Sequence, residues 1–173
     1  MGILGGDDIT RESMINKDAI CIGVIGAGKC AKKLKDEAYA VGEAIARRGA
    51  VLICGGLKGV MEAAAQGAKD AGGITVGIIP GADKAEANPY CDIVIPTGIG
   101  EARNVVVVQA SDAVVSLHGK YGTISEMAFS LKLGRPLVSL VEWDAMPEVI
   151  TIADPAKAVD HAIKLAKDAK RHS

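Results

Sequence analysis

Aromatic side chains are scarce in this chain: Tyr39, Tyr90, Tyr121, Phe129 and Trp143 are the only five among 173 residues. Rings so few and so scattered cannot build the stacking platform on which single-stranded nucleic acid is held. No sign of charge dominates either, because 20 Lys and Arg face 21 Asp and Glu for a net charge of -1. Such a balance offers no bulk attraction to a phosphate backbone or an acidic lipid surface, so neither nucleic acid nor membrane is expected as a partner. The three histidines, His118, His161 and His172, fit no zinc-ligand spacing, and Cys21, Cys30, Cys54 and Cys91 contain no C-x-x-C pair, so no metal site is expected and the thiols read as reduced. No apolar run reaches the ~18 residues of a membrane span. Residues 1-18 carry Asp7, Asp8, Arg11 and Glu12 without an apolar stretch, which reads as an N-terminal arm of a cytoplasmic protein and not as a signal peptide.

What the chain does have is a hydrophobic fraction of 49%, a charged fraction of 24% and 21 glycines, with a mean hydropathy of +0.25. Those values exclude disorder, and the length fits one domain over residues 19-173. The glycine excess in an aliphatic chain points to tight strand-to-helix turns. The apolar run Ala19 to Ile25 ends at Gly26-Ala27-Gly28 and predicts a first strand. Leu34, Ala38, Val41 and Ile45 recur at helical spacing until Gly49. The cycle repeats as a strand at 50-54, a helix at 60-71 and a strand at 74-79, each closed by glycine or Pro80-Gly81. A fourth strand is expected at 92-95, a fifth at 113-117 and a sixth at 137-141, with helices at 122-133 and from Asp154-Pro155 to about Lys170. Val105 to Val108 has the propensity of a strand, but a parallel crossover needs about a dozen residues and is usually helical, so 101-110 is expected as a buried helix. Strands that are continuously apolar belong to a parallel sheet covered on both faces. The expected class is therefore α/β: a Rossmann-like three-layer α/β/α fold with a mostly parallel six- or seven-stranded sheet.

In such a sheet ligands bind beyond the carboxyl ends of the strands, which makes the turns after strands one, two, four and five the candidates. Gly26-x-Gly28-x-x-Ala31 satisfies the relaxed dinucleotide pattern, yet the acidic residue that should close the second strand is replaced by Cys54-Gly55-Gly56, which disfavours a nicotinamide enzyme. Lys29, Lys32, Lys33 and Lys35 crowd the next helix start, where an anion would offset them and where Asp36 and Glu37 can balance them. Cys30 and Cys54 end adjacent turns and read as small core residues. Asp112 reads as a cap or turn residue.

The stretch Gly100-Glu101-Ala102-Arg103-Asn104, followed by His118-Gly119-Lys120-Tyr121-Gly122-Thr123-Ile124-Ser125-Glu126, resembles the Rossmann-like superfamily that holds the Lonely Guy phosphoribohydrolases, long mislabelled lysine decarboxylases. The same superfamily contains the molybdenum-cofactor carrier proteins and a DNA-processing relative. Its motif is P-G-G-x-G-T-x-x-E with an upstream Arg. Gly119, Gly122, Thr123 and Glu126 match it, and Arg103 lies 23 positions before Glu126. Gly55-Gly56 with Gly59, Val60 and Met61, and then Gly73, Gly77 and Pro80, is similar to the family's pattern, so the resemblance spans residues 19 to about 141. His118 and Lys120 depart from the motif, and Asn104 stands where the phosphoribohydrolases carry Lys. Arg-Asn looks more like the carrier branch. Lys120 would strain the loop if its position required positive φ.

The resemblance implies a phosphorylated ligand, nucleotide or molybdopterin, with no cofactor required for activity, and it implies homodimers or larger homo-oligomers. Physically, a loop entering a helix start offers free N–H groups and a favourable dipole to a phosphate. Gly26, Gly28, Lys29, Gly55, Gly56, Gly119, Lys120, Tyr121, Gly122 and Thr123 are the candidate binding residues. Arg103 and Glu126 are the candidate catalytic pair: Arg103 as a fork for phosphate or carboxylate, Glu126 to stabilise an oxocarbenium-like ribose or activate water. Thr123-x-x-Glu126 is equally a capping box that satisfies only its own helix. Three functions stay open: a carrier of a pterin or nucleotide-like phosphate, a nucleoside monophosphate phosphoribohydrolase, and a structural or regulatory oligomer. Nothing marks a Schiff-base lysine, so lysine decarboxylation is rejected.

Overall fold

A computed structural model describes residues 18–171; apart from Asp18, the expected N-terminal arm lies outside the described residues. Strand β1 (Cys21–Ile25) leads through the first glycine turn to α1 (Lys32–Arg47), then β2 (Val51–Cys54), α2 (Val60–Asp70) and β3 (Thr75–Ile79). A loop with a 3-10 turn at Lys84–Glu86 precedes β4 (Ile93–Pro96), and a second 3-10 turn, Gly100–Ala102, leads into α3 (Arg103–Gln109). The chain continues as β5 (Ala113–Ser116), α4 (Tyr121–Lys132), β6 (Leu137–Ser139), β7 (Ile150–Thr151) and α5 (Pro155–Arg171). All six strand pairings are parallel, in the order β4-β3-β2-β1-β5-β6-β7. The expected α/β class holds, and the sheet is wholly parallel where it was expected to be mostly so.

The two faces of the sheet are covered by different helices. Ile22, Val24, Leu52, Val115 and Val138 pack beneath α1, α2 and α5, while Ile25, Ile53, Ile78 and Val114 pack with Val107 of α3 and Met127 of α4. Burial on both faces explains why the strands are apolar at consecutive positions. Close approach of α1 to α2 depends on two glycines: a Cβ on Gly42 would collide with the backbone of Ala64, and one on Gly67 with the backbone of Tyr39.

Strands two to four lie on one side of β1 and strands five to seven on the other. The order therefore reverses between β1 and β5, and a crevice opens at their carboxyl ends. The two strands are held in register at the opposite end by Asp112, whose Oδ2 accepts from the Cys21 N–H at 2.8 Å and pairs with Lys170 at 3.1 Å. Asp112 thus ties strands together, which a local cap would not do.

The four valines of α3 divide by position. Val107 and Val108 are fully buried, while Val105 and Val106 are half-buried. Packing of α3 on β3 and α4 covers more of this helix than a free-standing crossover would.

Candidate functional site

The crevice is a cleft of about 660 Å³. Its floor is the end of β1, Val24 and Ile25. The first turn gives Gly26, Ala27, Gly28 and Lys29; the second gives Leu57, Lys58 and Met61; the segment after β4 gives Glu101, Arg103 and Asn104. The start of α4 contributes Lys120, Gly122, Thr123 and Glu126, and the loop after β3 contributes Glu86. All four turns singled out in the sequence therefore converge.

Glycines make the convergence geometrically feasible. A Cβ on Gly26 would lie 2.8 Å from the Val60 side chain, and one on Gly55 would lie 2.8 Å from Arg103 Nη2. Gly55 lies outside the cleft lining, but its missing side chain leaves the space that the Arg103 guanidinium fills. Gly56, at φ 72°, and Gly119 likewise lie outside the cleft lining, and a Cβ on Gly119 would collide with Thr123. Tyr121 is 88% exposed and does not line the cleft. Lys120 adopts φ -123° and caps α4 in extended backbone, so the strain its position threatened does not arise.

Helix α4 begins at Tyr121, two residues before Thr123. Thr123 is therefore its third residue, and no side chain caps the helix, so the capping-box reading of Thr123 and Glu126 fails. The first turn of α4 borders the cleft, and the N–H groups of a helix's first turn have no intrahelical acceptors. Glu126 sits in the second turn, 7% exposed, beneath this opening.

Arg103 is 4% exposed. Its Nη1 donates to Asn104 Oδ1, Asn104 Nδ2 donates to Ser125 Oγ at 3.1 Å, and Ser125 Oγ donates to the Gly122 carbonyl at 2.7 Å. This chain ties the start of α3 to the first turn of α4. Arg103 Nη1 lies 3.8 Å from Glu126 Oε1, beyond hydrogen-bond distance, and Arg103 Nε has no protein partner. Burial pushes the Glu126 carboxyl up to about 8, outweighing the opposing pull of Arg103. Near neutral pH the site thus holds a guanidinium with an unused donor beside an uncharged acid. Lys29, Lys58 and Lys120 add three cations at the mouth from three separate turns.

The model of the SLOG cluster4 family matches residues 19–170. The chain belongs to the SLOG cluster4 family. This SLOG protein is 49% identical over 142 residues to an uncharacterised protein of Archaeoglobus fulgidus, spanning 82% of this chain and 93% of the relative. The molybdenum cofactor binding protein of Rippkaea orientalis has a similar structure, with a TM-score of 0.80, 35% identity, and coverage of 86% of this chain and 98% of the other. The molybdenum cofactor carrier protein of Chlamydomonas reinhardtii is similar at a TM-score of 0.79 and 34% identity, covering 85% and 98%. The resemblance read from the Gly119–Glu126 stretch and Arg103 is borne out at the level of the SLOG family and its carrier-protein neighbours.

Sequence reasoning missed several lining residues of the SLOG cleft. Leu57, Lys58 and Met61 lie within the glycine-rich turn already noticed, and Glu101 and Asn104 flank Arg103. Glu86 gave no signal, since it stands in a polar loop of ordinary composition. His118 is exposed and stacks on Trp143 with ring centroids 6.3 Å apart, while its carbonyl accepts from the Ala27 N–H at 3.0 Å. Lys32 at the start of α1 pairs with Asp36 at 2.7 Å in solvent, whereas Lys29, in the turn before the helix, lines the cleft.

Proposed function

We propose that this SLOG protein binds and carries a phosphorylated small molecule of the pterin or nucleotide type, molybdopterin foremost, in the cleft at the carboxyl edge of the sheet. The observation that carries this reading is the buried Arg103, whose Nε has no protein partner and which lines a cleft edged by the first turn of α4. A buried guanidinium with a free donor fits an anion, and N–H groups at a helix start fit a phosphate. Lys29, Lys58 and Lys120 supply the remaining countercharge. Likeness to the two molybdenum cofactor proteins favours the pterin phosphate over other occupants.

The phosphoribohydrolase reading gives Glu126 and Arg103 catalytic roles. It is the weaker of the two because an uncharged Glu126 neither stabilises an oxocarbenium ion nor activates water near neutral pH, and because Asn104 is a neutral partner for Arg103. The protein acts in this proposal as a homo-oligomer in the cytoplasm, without a required cofactor.

Isothermal titration tests the assignment. Molybdopterin or adenosine monophosphate binds the wild type, and Arg103→Ala weakens that affinity by roughly 10- to 100-fold, the scale of hydrogen bonds to a charged group. Folded protein that binds neither compound overturns the proposal. Release of adenine from adenosine monophosphate, abolished by Glu126→Gln, would establish the hydrolase instead.

A further inference from the structure

Two of the four thiols are neighbours. Cys54 ends β2 and is the sheet partner of Gly77 on β3, and adjacent strands lie roughly 4.8 Å apart. Gly77 has no side chain, and the Cys91 sulfur stands 2.6 Å from where its Cβ would be. Cys91 therefore fills the place beside Cys54 that a residue at position 77 would occupy.

The surroundings hold that arrangement. Gly56 N–H donates to Cys54 Sγ at 3.4 Å, and Cys91 Sγ contacts Asn88 Oδ1 at 3.6 Å. Asn88 latches its loop onto the second glycine turn: its N–H donates to the Gly56 carbonyl at 2.8 Å and its Nδ2 to the Leu57 carbonyl at 2.9 Å. The same loop carries Glu86 into the cleft wall. Cys54 is fully buried and Cys91 is half-buried, so an oxidant reaches Cys91 first.

We propose that Cys54 and Cys91 form an oxidisable dithiol, closed to a disulfide by a peroxide, that ties the loop bearing Glu86 to the strand beneath the cleft. Cys91 attacks one peroxide oxygen, the O–O bond breaks, and water leaves Cys91 as a sulfenic acid. Cys54 then attacks that sulfur, the S–O bond breaks, and a second water departs. Two thiols lose two protons and two electrons, and one peroxide is reduced to two waters. The electrostatics agree with this order. The neighbouring Cys54 thiol holds the Cys91 thiol below its usual range, whereas Cys54 is raised by Cys91 and by burial. Burial raises the thiols of Cys21 and Cys30, which leaves them poorer nucleophiles.

Reduced full-length protein treated with hydrogen peroxide, then mapped by non-reducing peptide mass spectrometry, should yield a Cys54–Cys91 linked peptide lighter by two hydrogens. Iodoacetamide should label Cys91 before Cys21 and Cys30 in the untreated native wild type, a readout that needs no variant to fold. Cys91→Ser should leave Cys54 unlinked. Overoxidation of Cys91 without a link, pairing of either cysteine with Cys30, or labelling of Cys21 or Cys30 ahead of Cys91 overturns the proposal.

Discussion

Glu126 is the residue whose surroundings most alter its chemistry. Its carboxyl titrates near 4.5 in an unfolded chain and near 8 when buried in the fold. Between those values the folded state holds more protons than the unfolded one, so the contribution of this group to stability declines as pH rises from 4.5 to 8 and is level above that. Glu126→Gln keeps this side chain uncharged at every pH. Thermal melts should therefore place the variant close to wild type at pH 5 and increasingly above it towards pH 8, by about 2–4 °C per kcal/mol for a chain of this size. A gap that stays constant with pH would mean that Glu126 is ionised throughout. The same titration bears on binding, since an uncharged acid beside Arg103 leaves a phosphate unopposed and a carboxylate repels it.

At the scale of elements, the tightest constraint is the crossing of α1 and α2. Gly42→Ala gains roughly 1 kcal/mol of helix propensity. It also drives a methyl group into the Ala64 backbone, which cannot rotate away as a side chain tip can. Overpacking of this kind costs about 1–3 kcal/mol and more where backbone must move, so the urea midpoint should fall. A rise would mean that the helices separate freely. Periodicity in the sequence was enough to find α1, because Ala38, Val41 and Ile45 mark one face, and flanking glycines delimited α2; neither signal could show which glycine meets which carbonyl. The Val105–Val108 helix was legible from connectivity against its own propensity. Strand β7, Ile150–Thr151, was not, because two exposed residues carry no pattern. Within the cleft, Arg103, Gly122, Thr123 and Glu126 were legible from their match to the superfamily motif. The start of α4 was legible to within one residue, 122 against Tyr121, although Thr123 followed by Glu126 imitates a cap. Glu86 belongs to the cleft through the Asn88 latch, a long-range contact with no local signature.

For the whole molecule, association is the open quantity. Val105 and Val106 on α3 remain half-buried, and the proposed homo-oligomer would cover them. A two-fold pair would bring the two α3 helices together, with Arg103 at the start of each. Sedimentation equilibrium at micromolar concentration should give a species of at least twice 17.8 kDa. A monomer alone would leave those valines covered only by their own chain.

The wholly parallel sheet has one more consequence. Helices α1, α2 and α4 all begin at the edge where the cleft opens, so their dipoles add instead of cancelling, each presenting about half a positive charge there. Lys29, Lys58 and Lys120 stand at the same edge. A net charge of -1 therefore conceals an electrical front and back: Lys29, Lys58, Lys120 and Arg103 outnumber Glu86 and Glu101 along the cleft, and the field of that rim extends over about a Debye length, roughly 8 Å in physiological salt.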